Sequence, residues 1–383
     1  MDMTQQNNPN LQSESDQLQA QIMQLRARPA PSTELIDALN AQAQLLSRSD
    51  VGQAMALSKE AYTLARLLRH HHGVAISLAR LSWLHLSDGM FDAAVMEAHE
   101  ARYLAERLGD PVLVMRAIYV LAIAERMAGN FSRAESLWRE SLALARARGD
   151  KLREADYLNE MGVLSVHMGN YVEAYEYYEQ AHQAHALLGH VNHINDKNNI
   201  ADVLVRLGRT EEAMTWVAAA LAACDPGWQV WRAQFLHTAG VVHMQTNRLS
   251  LAKSCFDESL SISLSKAGSK EVGVFALLDL GRLALLSNQL HEAICKFEDA
   301  VRLAGEIQSV TQLREAHKML NRLYRSTRSD ALADVHHEAV VQLDNQLNTT
   351  RMSRQMSMMR VDIELRDRRL QWSQELLELM PAR

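Results

Sequence analysis

Apolar residues recur three and four apart along most of this chain, the spacing of one buried helix face. Gly, Asn, Asp and Pro interrupt the pattern at regular intervals, where helices stop. The stretch from Tyr157 to Leu188 shows the unit that repeats. A first apolar helix carries a small residue, Gly162, and ends in the turn Gly169-Asn170-Tyr171. A second helix follows with Ala174, Tyr178 and Ala181 on one face. Small residues let two helices approach closely, and the aromatic ring fills the gap between one pair and the next.

One landmark fixes the register: the small residue where the second helix of a pair crosses the first. It falls at Ala54, Ala94, Ala134, Ala174, Ala213, Ala252, Ala293 and Ala333, at intervals of 39 to 41 residues. Seven residues later, two helical turns along, stand Ala61, Ala101, Ser141, Ala181, Ala220, Ser259 and Ala300, with Val340 in the last repeat. Twelve residues before the landmark, the first helix supplies Ser82, Ala122, Gly162, Ala201, Gly240 and Gly281. Gln42 and Asn321 depart from that rule in the first and last repeats, as terminal repeats with one side in water do. Larger fillers, Trp138, Tyr178, Phe256 and Phe297, recur four residues after the landmark. The turns keep the same register. Asp88-Gly89, Gly129-Asn130, Gly169-Asn170, Gly208-Arg209, Asn247 and Asn288 end first helices, and Gly109-Asp110-Pro111, Gly149-Asp150, Leu188-Gly189 and Asp225-Pro226-Gly227 end second ones.

These positions resemble the tetratricopeptide repeat from about residue 32 to 345. The usual period of that family is 34 residues, so pairs near 40 carry longer helices. The longer form is similar to the repeats of bacterial regulatory proteins, among them peptide-sensing Rap-type regulators and sensory halves joined to diguanylate cyclase or transcription-activator modules. The resemblance implies an all-α, superhelical solenoid of about eight helix pairs that binds a partner and carries no enzymatic activity. The chain has no GGDEF-like motif, separate DNA-binding domain or receiver-type domain, and no GxSxG, GxxxxGK[ST] or HExxH.

Composition adds limits. Sixteen Gly and six Pro favour long helices over a loop-rich β fold, and a net charge of −6 gives no global reason to expect nucleic acid or membrane. Cys224, Cys255 and Cys295 lack ligand spacing and suit a reducing cytosol. No basic-then-apolar leader opens the sequence and no apolar run approaches a bilayer span, so a soluble cytoplasmic protein is expected, with no cofactor. His70-His71-His72 reads as an exposed turn and His336-His337 as a poor metal pair, since helix neighbours diverge; no metal site is expected.

The resemblance places ligands on the first helices, at 18, 15, 11 and 8 residues before each landmark. In the first two repeats these positions are apolar: Ile36, Leu39, Ala43 and Leu46, then Ile76, Ala79, Trp83 and Leu86. In the third to sixth repeats they turn polar: Arg116, Tyr119 and Arg126; Asp156 and Asn159; Asn195, Asn198 and Asp202, with Arg206 one position on; Gln234 and His237. Asn and Gln offer donor and acceptor to a peptide backbone, and Arg116, Arg126 and Arg206 suit a carboxylate. The competing reading is that these groups satisfy one another across adjacent helices. The Trp83 wall is either a docking surface or is covered by the N-terminal residues.

Both ends are set apart. Residues 1–31 are expected to be a disordered polar tail, mobile or packed late against the first repeat, with a short helix over Leu18–Leu25 as the exception, and Ser32 to cap the next helix. Residues 346–383 continue as a long helix. Met352, Met356, Met359, Ile363, Leu370 and Leu377 fall on alternating spacings of four and three, with Arg366 and Ser373 at the intervening positions, a coiled-coil seam for a dimer or partner helix, unless the helix folds back on its own solenoid. The expected function is a non-enzymatic bacterial scaffold or regulator binding a protein or peptide in its groove. The alternative is a ligand- or peptide-sensing transducer whose C-terminal helix relays the signal to an output partner or dimer.

Overall fold

In a computed structural model the chain is described over residues 9–47 and 49–377, with side chains over 13–47 and 49–365. Seventeen helices and no strand occur among the described residues. After α1 (Pro9–Arg26), first and second helices alternate in eight pairs. The first helices are α2 (Thr33–Leu46), α4 (His71–Ser87), α6 (Pro111–Met127), α8 (Lys151–Met168), α10 (Asn192–Arg206), α12 (Gln229–Gln245), α14 (Lys270–Leu286) and α16 (Val310–Ser326). The second helices are α3 (Val51–Leu67), α5 (Phe91–Leu108), α7 (Phe131–Arg148), α9 (Tyr171–Leu187), α11 (Thr210–Ala223), α13 (Leu249–Ser263), α15 (Leu290–Glu306) and α17 (Asp330–Leu377).

The local signals act as the sequence indicates. Ser32 accepts from the Leu35 amide to cap α2, and Asp110 caps α6, which has Pro111 in its first turn. First helices end on left-handed residues at Gly89, Gly129, Gly169, Gly208, Asn247 and Asn288. All eight landmark alanines are fully buried. The small residue twelve positions earlier faces the filler four positions later. A Cβ added to Gly162 would meet the Tyr178 ring at 2.6 Å, and one added to Gly240 or Gly281 would collide with Phe256 or Phe297. Ring and absent side chain are two halves of one packing device.

The contacts divide the chain into two compact units. One runs to Arg153 and includes the residues from Arg351 onward; the other spans Glu154–Thr350. The first unit stacks α2 to α7 in order, with first helices touching first helices. Here the expected disordered tail is corrected over residues 9–26. They form α1, which buries Ile22 and Leu25 in the core of the first repeats and pairs Arg26 with Glu60. Residues 1–8 lie outside the described residues. In the second unit α9 to α16 stack in the same alternation, around Phe256, Phe297, Leu320 and their neighbours.

The C-terminal segment also packs on its own chain. Met358, Val361 and Leu365 are buried among Leu86, Val95, Ala98, Val120, Leu121, Ala124 and Ala128, with Trp83, Ile123 and Met127 beside them. Each such side chain contributes ~1.5–3 kcal/mol. Arg133 reaches Asp362 at 3.1 Å, Arg360 pairs with Asp92, and Arg354 donates to the Met127 carbonyl at 3.4 Å. The apolar edge at Leu86 is therefore covered by residues 351–365, with Trp83 half-buried beside it, while Ile22 and Leu25 of α1 join the core of Ile36, Leu39 and Ala43. No break separates residue 345 from 346, since α17 is continuous there.

Candidate functional site

In the second unit the groove residues predicted from sequence lie on α8, α10 and α12, and several are already engaged. Asp156 is held by His185, on α9, whose side chain is only 1% exposed. His185 Nδ1 stands 2.7 Å from Asp196 and Nε2 3.3 Å from Asp156, so both nitrogens donate only in the imidazolium form. Burial pushes this imidazole down. The hydrogen bonds and charges of the two carboxylates outweigh it, and the pKa stands at about 9. Asn192 donates to the same Asp156 oxygen at 3.5 Å.

The neighbouring groups form two further ladders. Asn199 donates to Asn159 at 3.0 Å, joining α10 to α8. His237 bonds Asp279 at 2.8 Å, Asp279 pairs with Arg282 at 2.7 Å, and Arg282 reaches Glu315 at 3.0 Å, so one chain of charges ties α12, α14 and α16. Burial raises the Asp279 carboxyl, and the hydrogen bond and charge of His237 with Arg282 hold it below its ordinary value all the same. Arg206 donates to Asp202 at 2.9 Å and lies over the Tyr171 ring. Asn198 differs: its side-chain oxygen is buried and accepts no hydrogen bond. Asn195 and Gln234 are half-buried on the same two helices.

In the first unit Tyr119 stands edge-on between Trp83, 5.7 Å away, and Trp138, 5.2 Å away. Arg116 and Arg126 are half-buried on α6. Beside Arg116 is a residue the sequence reading missed, Arg80 on α4. Its Nη2 donates to the neutral Gln44 side chain at 3.0 Å, and its Nε is buried without an acceptor. Burial, and then the charge of Arg116, hold its pKa down to about 10.

The missed residues had signals. Positions fourteen before each landmark read Asn40, Arg80, Val120, Glu160, Asn199, Thr238, Asp279 and Met319, polar in six of eight repeats. Asn40 accepts from Ser77, and Arg80, Asn199 and Asp279 each bridge first helices, so a bridging row at fourteen runs beside the expected row at fifteen, which supplies Asn159 and His237 as partners. His185 stands eleven after its landmark, where four of the other seven repeats have alanine, Ala65, Ala105, Ala145 and Ala304. Of the coiled-coil stripe, Met352, Met356, Met359 and Ile363 are each well exposed, opposite the buried face of the same helix. The side chains of Leu370 and Leu377 lie outside the described residues. His336 meets His317 at 2.8 Å between Nδ1 atoms, and no group of three metal-type ligands occurs among the described residues.

The fold is a tetratricopeptide-repeat solenoid. The tetratricopeptide repeat model matches residues 153–225. No curated protein matches the chain in sequence. Among solved structures it resembles the apo form of the quorum sensor NprR from B. thuringiensis, at 11% identity over 87% of this chain and 98% of that one, with a TM-score of 0.64. It also resembles a Rap protein complexed with Competence and Sporulation Factor, at 15% identity over 83% of this chain and 100% of that one, with a TM-score of 0.55. At such identities the likeness speaks for the fold. No helix among the described residues is long and apolar enough to cross a membrane.

Proposed function

We propose that the protein is a non-enzymatic cytoplasmic regulator of bacterial type that holds an extended peptide, or the tail of a partner protein, along the first helices of its second unit. Asn198 carries this reading. Its buried acceptor is unsatisfied while Asp156, Asn159 and His237 around it are engaged, and a peptide backbone N–H supplies what it lacks whatever the peptide's sequence. The likeness to a quorum sensor and to a Rap protein caught with its factor supports a ligand-binding use of the fold. The test is capture of partners from native cell lysate by the full chain and by Asn198→Ala. Loss of a partner with unchanged melting supports the groove; retention of every partner by the variant removes it.

A second reading, a transducer whose C-terminal helix meets a dimer mate or output partner, is favoured by one observation. The segment is anchored by Met358, Val361 and Leu365, while Met352, Met356, Met359 and Ile363 face outward. Light scattering of the wild type against Met356→Asp checks it, since a dimer held by this stripe dissociates in the variant and a monomer in both sinks the dimer form of the reading.

A further inference from the structure

The first unit contains a cation with no carboxylate partner among the described residues. Arg80 is half-buried on α4, donates only to the neutral oxygen of Gln44 at 3.0 Å, and leaves Nε without an acceptor. The placement of its neighbour follows from the aromatic contact. Trp83 and Tyr119 meet at 5.7 Å on adjacent first helices, so the residues one turn earlier on each, Arg80 and Arg116, stand side by side. Burial, and after it the charge of Arg116, both disfavour the Arg80 cation.

We propose that Arg80, with the charge of Arg116 beside it, is a binding subsite for an oxyanion, a carboxylate or a phosphate, whose apolar or aromatic neighbour rests on Trp83 and Tyr119. The subsite rests on the reading of the repeats as a ligand-binding scaffold, and it adds the chemical class of ligand that the first unit takes. Gln44 is exposed, and its amide oxygen holds the place that a ligand oxygen takes when the side chain swings aside. A planar carboxylate then spans Nε and Nη2 of the guanidinium, the geometry that arginine offers and lysine does not. The ring pair next to it gives an apolar shelf with an edge-to-face preference. The lowered pKa of Arg80 agrees with this geometry, since the charge is desolvated and repelled yet stays on at neutral pH.

The test uses the full chain and three probes: N-acetylphenylalanine, its amide and inorganic phosphate. Calorimetric titration is expected to show the acid binding at least ~10-fold more tightly than the amide, because only the acid brings the charge-assisted pair. Phosphate competing with the acid assigns the subsite to the anion alone, and the acid binding without competition assigns it to a carboxylate carried beside a ring; both outcomes keep the site. Gln44→Glu supplies Arg80 with an internal carboxylate and is expected to erase the preference for the acid while leaving the fold intact. Arg80→Met is expected to erase it as well and to melt no lower than the wild type, since it removes an uncompensated charge. Equal binding of acid and amide, or a preference that survives both substitutions, overturns the proposal. The groove of the second unit is read separately through Asn198→Ala, so either idea can fail while the other stands.

Discussion

The two units solve the same problem in different ways. In the second, most polar groups brought inside by the first helices close on one another, with the Asn198 oxygen left over. His185 lies between two carboxylates, and His237, Asp279, Arg282 and Glu315 run in series. In the first, the corresponding row holds Arg80, which finds only an amide, and the apolar edge at Leu86 and Ala128 is closed by a segment from the far end of the sequence. A repeat fixes where its small and large residues pack. It does not fix what its polar row does, and that row differs between the two units within a common frame.

The largest effect that would break this contrast is the loss of His185. His185→Ala leaves Asp196, whose side chain is 2% exposed, as a buried unpaired carboxylate, and about 3–5 kcal/mol of stability should go with it. Chemical denaturation read per transition measures this, because repeat arrays need not melt in one step. His185→Ala with Asp196→Ala should cost less than the sum of the two single changes. The pH dependence has a definite sign. A folded-state pKa of about 9, above the ordinary ~6.5, gives a contribution present in full below ~6.5 and lost as pH rises through about 9. Asp279 acts at the other end: its lowered carboxyl contributes above the ordinary carboxylate range, and the contribution is lost as pH falls through its depressed value. The second unit should therefore weaken at both extremes, and a flat stability from pH 6 to 10 would show that His185 is not the clasp described.

Next in size is the closure of the first unit. Val361→Asp puts a charge against Leu86 and Leu121 and should cost about 2–4 kcal/mol. Because the contact is a segment laid on a finished core, the loss should be local. Hydrogen exchange is expected to rise over residues 351–365 and along α4 and α6 while α12 to α16 stay protected. Uniform exchange across the chain would mean that the segment is integral to the whole fold.

How much of this the sequence disclosed follows from what a period can encode. The eight alanines, the fillers four positions on and the small residues twelve positions back reinforce one another at fixed spacing, so helix pairs, turns and core were legible. Left-handed turn residues at Arg69, Gln308 and Arg328 were not, since neither Arg nor Gln advertises that conformation. The row at fifteen was legible and its partners at fourteen were not, because core spacing leaves the rotation of the outer face open by about a residue. The seat of residues 351–365 had no local signal at all. Val361 meets Leu86 across most of the chain, and that helix carries two apolar faces, of which the one with the cleaner heptad stayed outside.

A smaller effect sharpens the rule shared by both units. Gly281→Ala should cost ~1–3 kcal/mol, because its methyl group enters the Phe297 ring at a site packed on every side. Phe297→Leu alone opens a void, whereas the two changes together should recover part of the loss. Additive losses in the double variant would mean that the pairing of small and large residues is coincidental.

The smallest effect distinguishes the two faces of the C-terminal segment. Met359 is 66% exposed on the side away from Val361, so Met359→Gln should leave stability within about 0.5 kcal/mol of wild type. Val361 and Met359 are two positions apart on one helix, and the contrast between a large and a negligible cost tests the seating of that helix more sharply than either value alone. If Met359→Gln instead destabilises in step with protein concentration, its face is buried between copies of the chain, because only an intermolecular contact makes stability depend on concentration.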